Sequence, residues 1–432
     1  MTEVSGAGGA YYGRVIAIPP VEPETIDPTL RHNVRQSLLD GMAFAVMTGF
    51  FNPFMSVFAM ALGATNYMVG LLVSLPALVG MIGQAIGALL AGGTRRKLPV
   101  VVLWAALSRS FFLLFALLPF LPVPRAWVFV LAVALMNLPA SVAGLTWTAL
   151  VQRLFPPQHR GQIFGQRNAF ISAATLLATA LGGWLLTALP FPANYTILNL
   201  TSFVFLMVSV YYLTTLREPP SSARAEERRK AGTDILRSLG RLRKNRQFTS
   251  FMTAMAIFWF SLFMPQALYP ILFVREMHMS TFWIGLLYTA GGLAAVLTYR
   301  FWGRFSDRYG HRRTLALCAT VRPLHGLLYC FIQTAWAPSV IEFIFSAFVS
   351  GFDLSAFNSI LEVAPQEDSS TYIAVFNIVN GLVVLSAPLL GVWVASMTGV
   401  RMGIGIGAVT RLIGVILLWR VARTAVAAYG VG

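Results

Sequence analysis

Charge is what this sequence has least of. Acidic and basic side chains make up 11% of its 432 residues, where soluble domains carry roughly 25%. The shortfall runs the whole length of the chain, which excludes a soluble enzyme with one anchor and indicates a polytopic membrane protein. Two cysteines, Cys318 and Cys330, supply neither a disulfide framework nor a metal site. The five histidines are scattered, without metal-ligand spacing. There is no phosphate-binding loop of the Walker kind, so ATP does not drive the protein directly. A zinc-protease helix and a serine nucleophile elbow are missing too, and no enzyme and no cofactor are expected. The first 33 residues lack a basic start followed by an apolar core, so no cleavable signal is expected.

What is abundant is oil. Hydrophobic residues reach 57% and the mean hydropathy is +0.70. Crossing a bilayer takes about 20 mainly apolar residues. Twelve stretches qualify: 38–62, 66–91, 98–121, 124–150, 166–189, 192–216, 248–271, 281–302, 314–334, 337–362, 371–398 and 401–421. Their length and their Gly and Ala content predict helices, not the alternation of barrel strands. The expected fold class is therefore an all-α integral membrane protein with twelve transmembrane helices.

The formal net charge of +16 is no sign of nucleic acid, because of where the charge sits. Basic residues gather in alternate loops: Arg95, Arg96 and Lys97; Arg153, Arg160 and Arg167; the 217–247 segment; Arg304 to Arg313; Arg420 and Arg423. The opposite loops hold Arg125, Arg275 and Arg401. Basic residues accumulate in short cytoplasmic loops. Both termini and the 217–247 segment are thus expected on the cytoplasmic side of the cell membrane, beside anionic lipids.

The 217–247 segment divides the spans six and six. The expected organisation is a cytoplasmic tail over 1–33, a six-helix bundle over 34–216, the cytoplasmic loop 217–247, a second bundle over 248–424, and a tail over 425–432. Weak matches recur in order at about half the chain length. VGLL at Val69–Leu72 returns as IGLL at Ile284–Leu287, and ALSRSFFLLF around Arg109 returns as ATVRPLHGLLY around Arg322. Pro156–Asn168 matches Pro365–Asn377, and ATALGG at Ala178–Gly183 matches APLLGV at Ala387–Val392. A duplicated six-helix unit explains all four.

Between the eighth and ninth spans stands Gly303–Arg313, GRFSDRYGHRR. Its counterpart between the second and third is Gly87–Lys97, GALLAGGTRRK. The pattern G-x-x-x-D-R-x-G-x-R-R at this place resembles the loop signature of the major facilitator superfamily. The likeness covers the whole chain, with twelve spans, a long central loop and paired halves. ATALGG and APLLGV also resemble degenerate forms of that family's antiporter signature. The resemblance implies two pseudo-symmetric six-helix bundles that alternate access to a central cavity. One departure matters: Ala91 stands where the first copy should carry an aspartate, while the second keeps Asp307. In the family that aspartate touches the first turn of a helix in the other half, where free amides favour an anion. Carried over, Gly303, Asp307, Arg308 and Gly310 form a one-sided cytoplasmic latch on Gly165–Asn168, with Arg167 as partner. Arg304, Arg312 and Arg313 are read as fixing topology alone.

Ionisable residues inside a span are costly and mark function. Arg109, Arg322, Asp353 and Arg411 stand out. Counted from the span ends at about 1.5 Å per residue, Asp353 and Arg322 both lie roughly 12–14 Å deep, so an ion pair between them is feasible. The pair either couples transport to protons or is purely structural. Arg109 has no acid at matching depth, and Asp40 and Glu342, near span ends, are less unusual. The resemblance implies that spans one, four, seven and ten line the cavity. Polar side chains there include Thr48, Asn52 and Ser56, then Asn137, Ser141 and Thr148, then Ser261 and Gln266, then Ser346, Ser350 and Asp353. The candidate substrate residues are Asn52, Asn137, Ser141, Gln266, Tyr288 and Asp353, and Pro53 is expected to open the backbone beside Asn52.

These features imply a monomeric secondary transporter whose partners are a small-molecule substrate, protons and membrane lipids. Proton-coupled export of a lipophilic or amphipathic molecule is the first expectation, resting on the antiporter-like remnants, Asp353 and the aromatic-rich spans. Uptake of a sugar-like or other polar metabolite is the alternative, and a non-transporting receptor or assembly protein a third.

Overall fold

The computed structural model of the chain describes residues 27–219, 245–363 and 369–429. Most of the expected 1–33 tail and 217–247 loop, the start of Pro365–Asn377 and the last residues of the 425–432 tail lie outside the described residues. The first span is a bent pair, α1 (Pro28–Phe51) and α2 (Met55–Ala61), turned by 45°. α3 (Asn66–Gly93), α4 (Leu98–Leu117), α5 (Arg125–Leu154), α6 (Pro157–Ala188) and α7 (Ala193–Thr214) complete one bundle. The other holds α8 (Arg246–Phe263), α9 (Leu268–Ile271), α10 (Thr281–Tyr309), α11 (His311–Phe331), α12 (Ala337–Val363), α13 (Ser369–Thr398) and α14 (Val400–Tyr429). Among the described residues eleven helices are long and apolar enough to cross a membrane, or twelve with the bent pair as one span.

Local signals set the helix ends. Asp27 accepts from the Thr29 amide (3.0 Å) and Pro28 follows at the first helical position, so α1 begins inside the segment expected to be a tail. α14 likewise runs on to Tyr429, into the stretch expected as the second tail. Gly310 joins α10 to α11 with φ +88, a left-handed conformation that glycine adopts without steric cost. That accounts for the glycine in GRFSDRYGHRR. In the same stretch Arg312 is buried and pairs with Glu362 (3.2 Å), tying α11 to α12. It does more than fix topology.

Two prolines interrupt the first span of each bundle. The helix stops at 52–54 around Pro53 and again at 264–267 around Pro265. Neither proline has an amide hydrogen to continue the ladder. Both breaks fall at equivalent places in the two halves. The packing repeats as well: α3 lies on α5 and α4 on α7, as α10 lies on α12 and α11 on α14.

Outward faces are apolar, with Leu107, Leu177, Leu181 and Phe331 exposed, as contact with hydrocarbon requires. Inside, the core changes along the bundle axis. At the face remote from the termini one cluster runs through both halves, joining Phe54, Val69 and Phe129 to Leu268, Ile284 and Val392. At the basic face there are two separate clusters. One holds Val101, Leu150 and Phe155, the other Phe251, Leu315 and Ile360. The bundles meet at the far face and part at the basic face.

Close helix contact makes the far seal. A Cβ on Gly183 would lie 3.1 Å from the Gly285 Cα and 3.0 Å from the Thr281 carbonyl oxygen. There α6 meets α10, and the Phe282 amide donates to Thr187 Oγ1 (3.0 Å), whose hydroxyl also meets that of Thr281 (2.9 Å). Arg275 reaches across to Asn66 Oδ1 and the Ala64 carbonyl. At the basic face an added Cβ on Gly165 or Gly303 would meet nothing within 4 Å.

The basic end of the first bundle is held by one carboxylate. Glu218 accepts from the amides of Lys97 and Leu98 (3.0 Å each) and from Arg153 Nη1 (3.1 Å). It closes the N-terminus of α4, where free amides and the helix dipole favour an anion. Burial lowers the pKa of the Lys97 ammonium, with Arg153 adding to the effect and Glu218 opposing it. Glu218→Ala should lower the thermal unfolding midpoint in detergent, for a loss of about 1–3 kcal/mol. An unchanged midpoint would show that water replaces the carboxylate there without cost.

Candidate functional site

Between the bundles lies a cavity of about 760 Å³, walled off at the far face by the seal. The two proline breaks open onto it: Asn52, Met55 and Ser56 line it from one, Gln266, Tyr269 and Pro270 from the other. Residues of α3, α5, α10, α11, α12 and α14 complete the wall.

The two sides differ in chemistry. The first-bundle wall is uncharged and built largely of Met47, Phe51, Met55, Leu72, Val73 and Met136. The second-bundle wall holds all the charge: Arg322, His325, Glu342 and Arg411. Arg322, His325 and Tyr329 recur at i, i+3 and i+7 on α11, which brings them to one side of the helix. Glu342 and Ser346 stand one turn apart on the neighbouring α12.

Glu342 is well provided for. Its Oε1 accepts from Ser346 Oγ (2.8 Å), while Oε2 lies 3.0 Å from His325 Nε2 and 3.5 Å from the Tyr329 hydroxyl. The His325 ring also stands edge-on to Tyr329, with centroids 4.8 Å apart. Arg411, 1% exposed, donates to the carbonyls of Arg322 and Ser261 (2.9 Å each), and its Nε has no hydrogen-bond partner. Among the described residues the Arg322 side chain has no ion pair and no hydrogen bond.

Of the candidate substrate residues, Asn52, Asn137, Gln266 and Tyr288 line the cavity. Asn137 also bonds the Val133 carbonyl one turn back (2.9 Å). Ser141 does not line it. A Cβ on Gly83 would come within 2.9 Å of the Ser141 Cβ, so this serine is packed into the α3–α5 seam that the glycine creates.

Asp353 and Arg322 form no ion pair. Asp353 is exposed on α12 and is absent from the cavity wall, which Arg322 does line. Counting along the spans matched their depth but not the direction each side chain takes.

The expected Asp307–Arg167 latch is not made in this conformation. Asp307 is exposed, and Arg308 lies over the ring of Tyr309 (5.4 Å). Arg167 is engaged within its own bundle, where Nη2 stands 3.5 Å from Asp40 and Nε donates to the Ser37 carbonyl (3.1 Å). The parted basic face keeps Gly303 and Gly310 away from α6.

The acid that Arg109 lacked in the sequence is also Asp40, 3.7 Å from Arg109 Nη2. Asp40 is 5% exposed and accepts from Ser209 as well, so one carboxylate ties together α1, α4, α6 and α7. A second cavity of about 410 Å³ adjoins this cluster, with Trp147, Ser108 and Asn168 in its wall. Phe44 separates the two cavities and carries Arg109 over its ring at 5.6 Å.

The family model of the Major Facilitator Superfamily matches residues 39–321 and again 267–429. Among curated proteins the chain is similar to the multi-drug resistance efflux pump PmrA homolog of Lactococcus lactis subsp. lactis (strain IL1403). The two are 23% identical over 264 residues, which is 60% of this chain and 62% of that protein, so the chain spans less than two thirds of its relative. Among solved structures it is similar to the nucleoside transporter NupG, with a TM-score of 0.66 and 13% identity over 91% of this chain and 99% of that one. A bacterial homolog to the human lysosomal transporter Spinster, inward-facing and unoccupied, gives 0.66 and 14% over 92% and 96%. The D-xylose-proton symporter gives 0.62 and 17% over 90% and 96%. At such identities the structures speak for the fold alone.

The Asp40 cluster yields a test of its own. Asp40→Ala would leave the buried Arg109 and the half-buried Arg167 without their carboxylate, and breaking a buried pair costs about 3–5 kcal/mol. The variant should lose thermal stability in detergent, and adding Arg109→Leu should restore part of it. A midpoint equal to wild type would mean that water solvates both arginines.

Proposed function

The chain belongs to the major facilitator superfamily, and on that premise we propose that it is a proton-coupled exporter of a lipophilic or amphipathic small molecule. Membership makes it a transporter and not an enzyme. The cargo, the direction and the coupling ion are our reading. One observation carries it: the bundles cohere from the far face to mid-depth and part at the basic face, with a cavity between them. Rocking about that seal would close the basic face and open the far one, which is alternating access. The basic loops favour a cytoplasmic location for the open face, in the cell membrane, with both termini inside.

The methionine and phenylalanine wall supports an apolar or amphipathic cargo. The efflux-pump name of the lactococcal relative supports export. Asn52, Asn137, Gln266 and Tyr288 would supply polar contacts to the cargo. For coupling, Glu342 with His325 and Tyr329 is preferred to Asp353, because it stands in the cavity wall and has a hydrogen-bonded partner able to take a proton. Asp307, with Gly303, Arg308 and Gly310, would engage α6 only when the basic face closes. The charged second-bundle wall favours the alternative, uptake of a polar metabolite.

In proteoliposomes under an imposed pH gradient, the wild type should accumulate an amphipathic fluorescent solute against its own gradient. Glu342→Gln should lose that accumulation yet still exchange labelled for unlabelled solute, and Asp353→Asn should do both. Loss of accumulation in Asp353→Asn alone would return coupling to that carboxylate. Movement of a sugar or nucleoside, and of no amphiphile, would favour uptake.

A further inference from the structure

The charges of the central cavity do not balance. Of the groups in its wall two are guanidinium, Arg322 and Arg411, and one is a carboxylate, Glu342, which leaves one positive charge there when His325 is neutral, while the exposed Asp353 acts on Arg322 from outside the wall. The carboxylate does not lie against either arginine; its oxygens are taken by Ser346, His325 and Tyr329. Arg411 is held by backbone carbonyls, which satisfy two of its donors but carry no countercharge, and its Nε is left over. Arg322 has neither ion pair nor side-chain hydrogen bond among the described residues. Arg411 is withdrawn from water, where a guanidinium without an anion is costly, and Arg322 stands half-buried beside it in the cavity wall. Elsewhere the chain avoids that cost, answering Arg109 and Arg167 with Asp40 and Arg312 with Glu362. In the cavity it does not.

We propose that the missing countercharge is the substrate's own: the cavity takes an amphipathic organic anion with a single oxyanion head. The head would lie at Arg322, whose planar fork suits a carboxylate, with Arg411 behind it contributing field. The apolar body would lie across the cavity against Met47, Phe51, Met55 and Met136. A volume of about 760 Å³ accommodates both. The inference rests on the reading of this cavity as the transport site and specifies its cargo.

The test is equilibrium binding to the full-length protein in nanodiscs, using three probes that share one ring system. They are pyrenebutyrate, pyrenebutanol and pyrenebutyl-trimethylammonium. The carboxylate should bind roughly tenfold tighter than the alcohol or the cation. Arg322→Gln should erase that preference while the alcohol binds as before, which also shows that the variant is folded. Equal or tighter binding of the cation or the alcohol, no saturable binding of the carboxylate, or an unchanged preference in Arg322→Gln would overturn the proposal. Binding is read without transport. A carboxylate-selective site in a protein that moves no solute would remove the transport reading and leave this one standing. Transport of cations or neutral amphiphiles without carboxylate selectivity would do the reverse.

Discussion

A guanidinium group in an apolar interior must be answered by something, and much of this structure can be understood from how each one is. Asp40 answers two of them and in doing so binds four helices of the first bundle into one unit. Glu362 answers Arg312 where two helices of the second bundle meet near the basic face. Arg411 is met by two carbonyls and the Tyr269 hydroxyl, whose dipoles hold the group in place without cancelling its charge. Structural arginines are thus closed off inside a bundle. The incompletely answered ones face the space between bundles, where a ligand can reach them.

The seal has the opposite character, being almost free of charge. Glycines let α6 approach α10 until the Gly183 and Gly285 backbones touch, and threonine hydroxyls complete the contact. Such a joint is held by close packing, with Arg275 hydrogen-bonded across it to the Asn66 amide and the Ala64 carbonyl. A dry, small-residue contact can serve as a pivot because parting it strands few charges. The ion-paired clusters would not tolerate the same movement, and they lie inside the bodies that move. Rigidity and mobility are in this way assigned to different chemistries.

The architecture was legible in the sequence because hydropathy and basic-loop placement act over tens of residues and survive errors at the ends. The site was less legible because its logic is local. Hydropathy alone begins the span at 38 and makes Asp40 a terminal residue, whereas Asp27 and Pro28 start the helix three turns earlier and carry Asp40 deep inside. Glu342 does lie near the start of α12, but that end is where the halves close, so it faces the cavity. The i, i+3, i+7 stripe of Arg322, His325 and Tyr329 was in the sequence and was the signal that would have found the cluster. Asp353 and Arg322 misled because equal depth is one coordinate and a contact needs three. The family resemblance pairs Arg167 with the other half, while in the structure its partner is Asp40 on α1.

The two halves share a scaffold but not a chemistry. Arg109 and Arg322 occupy matching places in the repeated motifs ALSRSFFLLF and ATVRPLHGLLY. In the first bundle the arginine meets Asp40. Counted back from Pro53 and Pro265, the position on α8 that matches Asp40 is Met252, which carries no charge. The repeat therefore holds an arginine in both halves and the acid that neutralises it in one. An arginine that needed only structural neutralisation would be as well served by an aspartate in the second half as in the first. Its absence there exposes Arg322 to the cavity, while the first bundle, its charges closed within Asp40's cluster, is left to present an apolar wall. A cavity with one cationic side and one oily side follows from a duplicated design in which one half carries the neutralising carboxylate and the other does not.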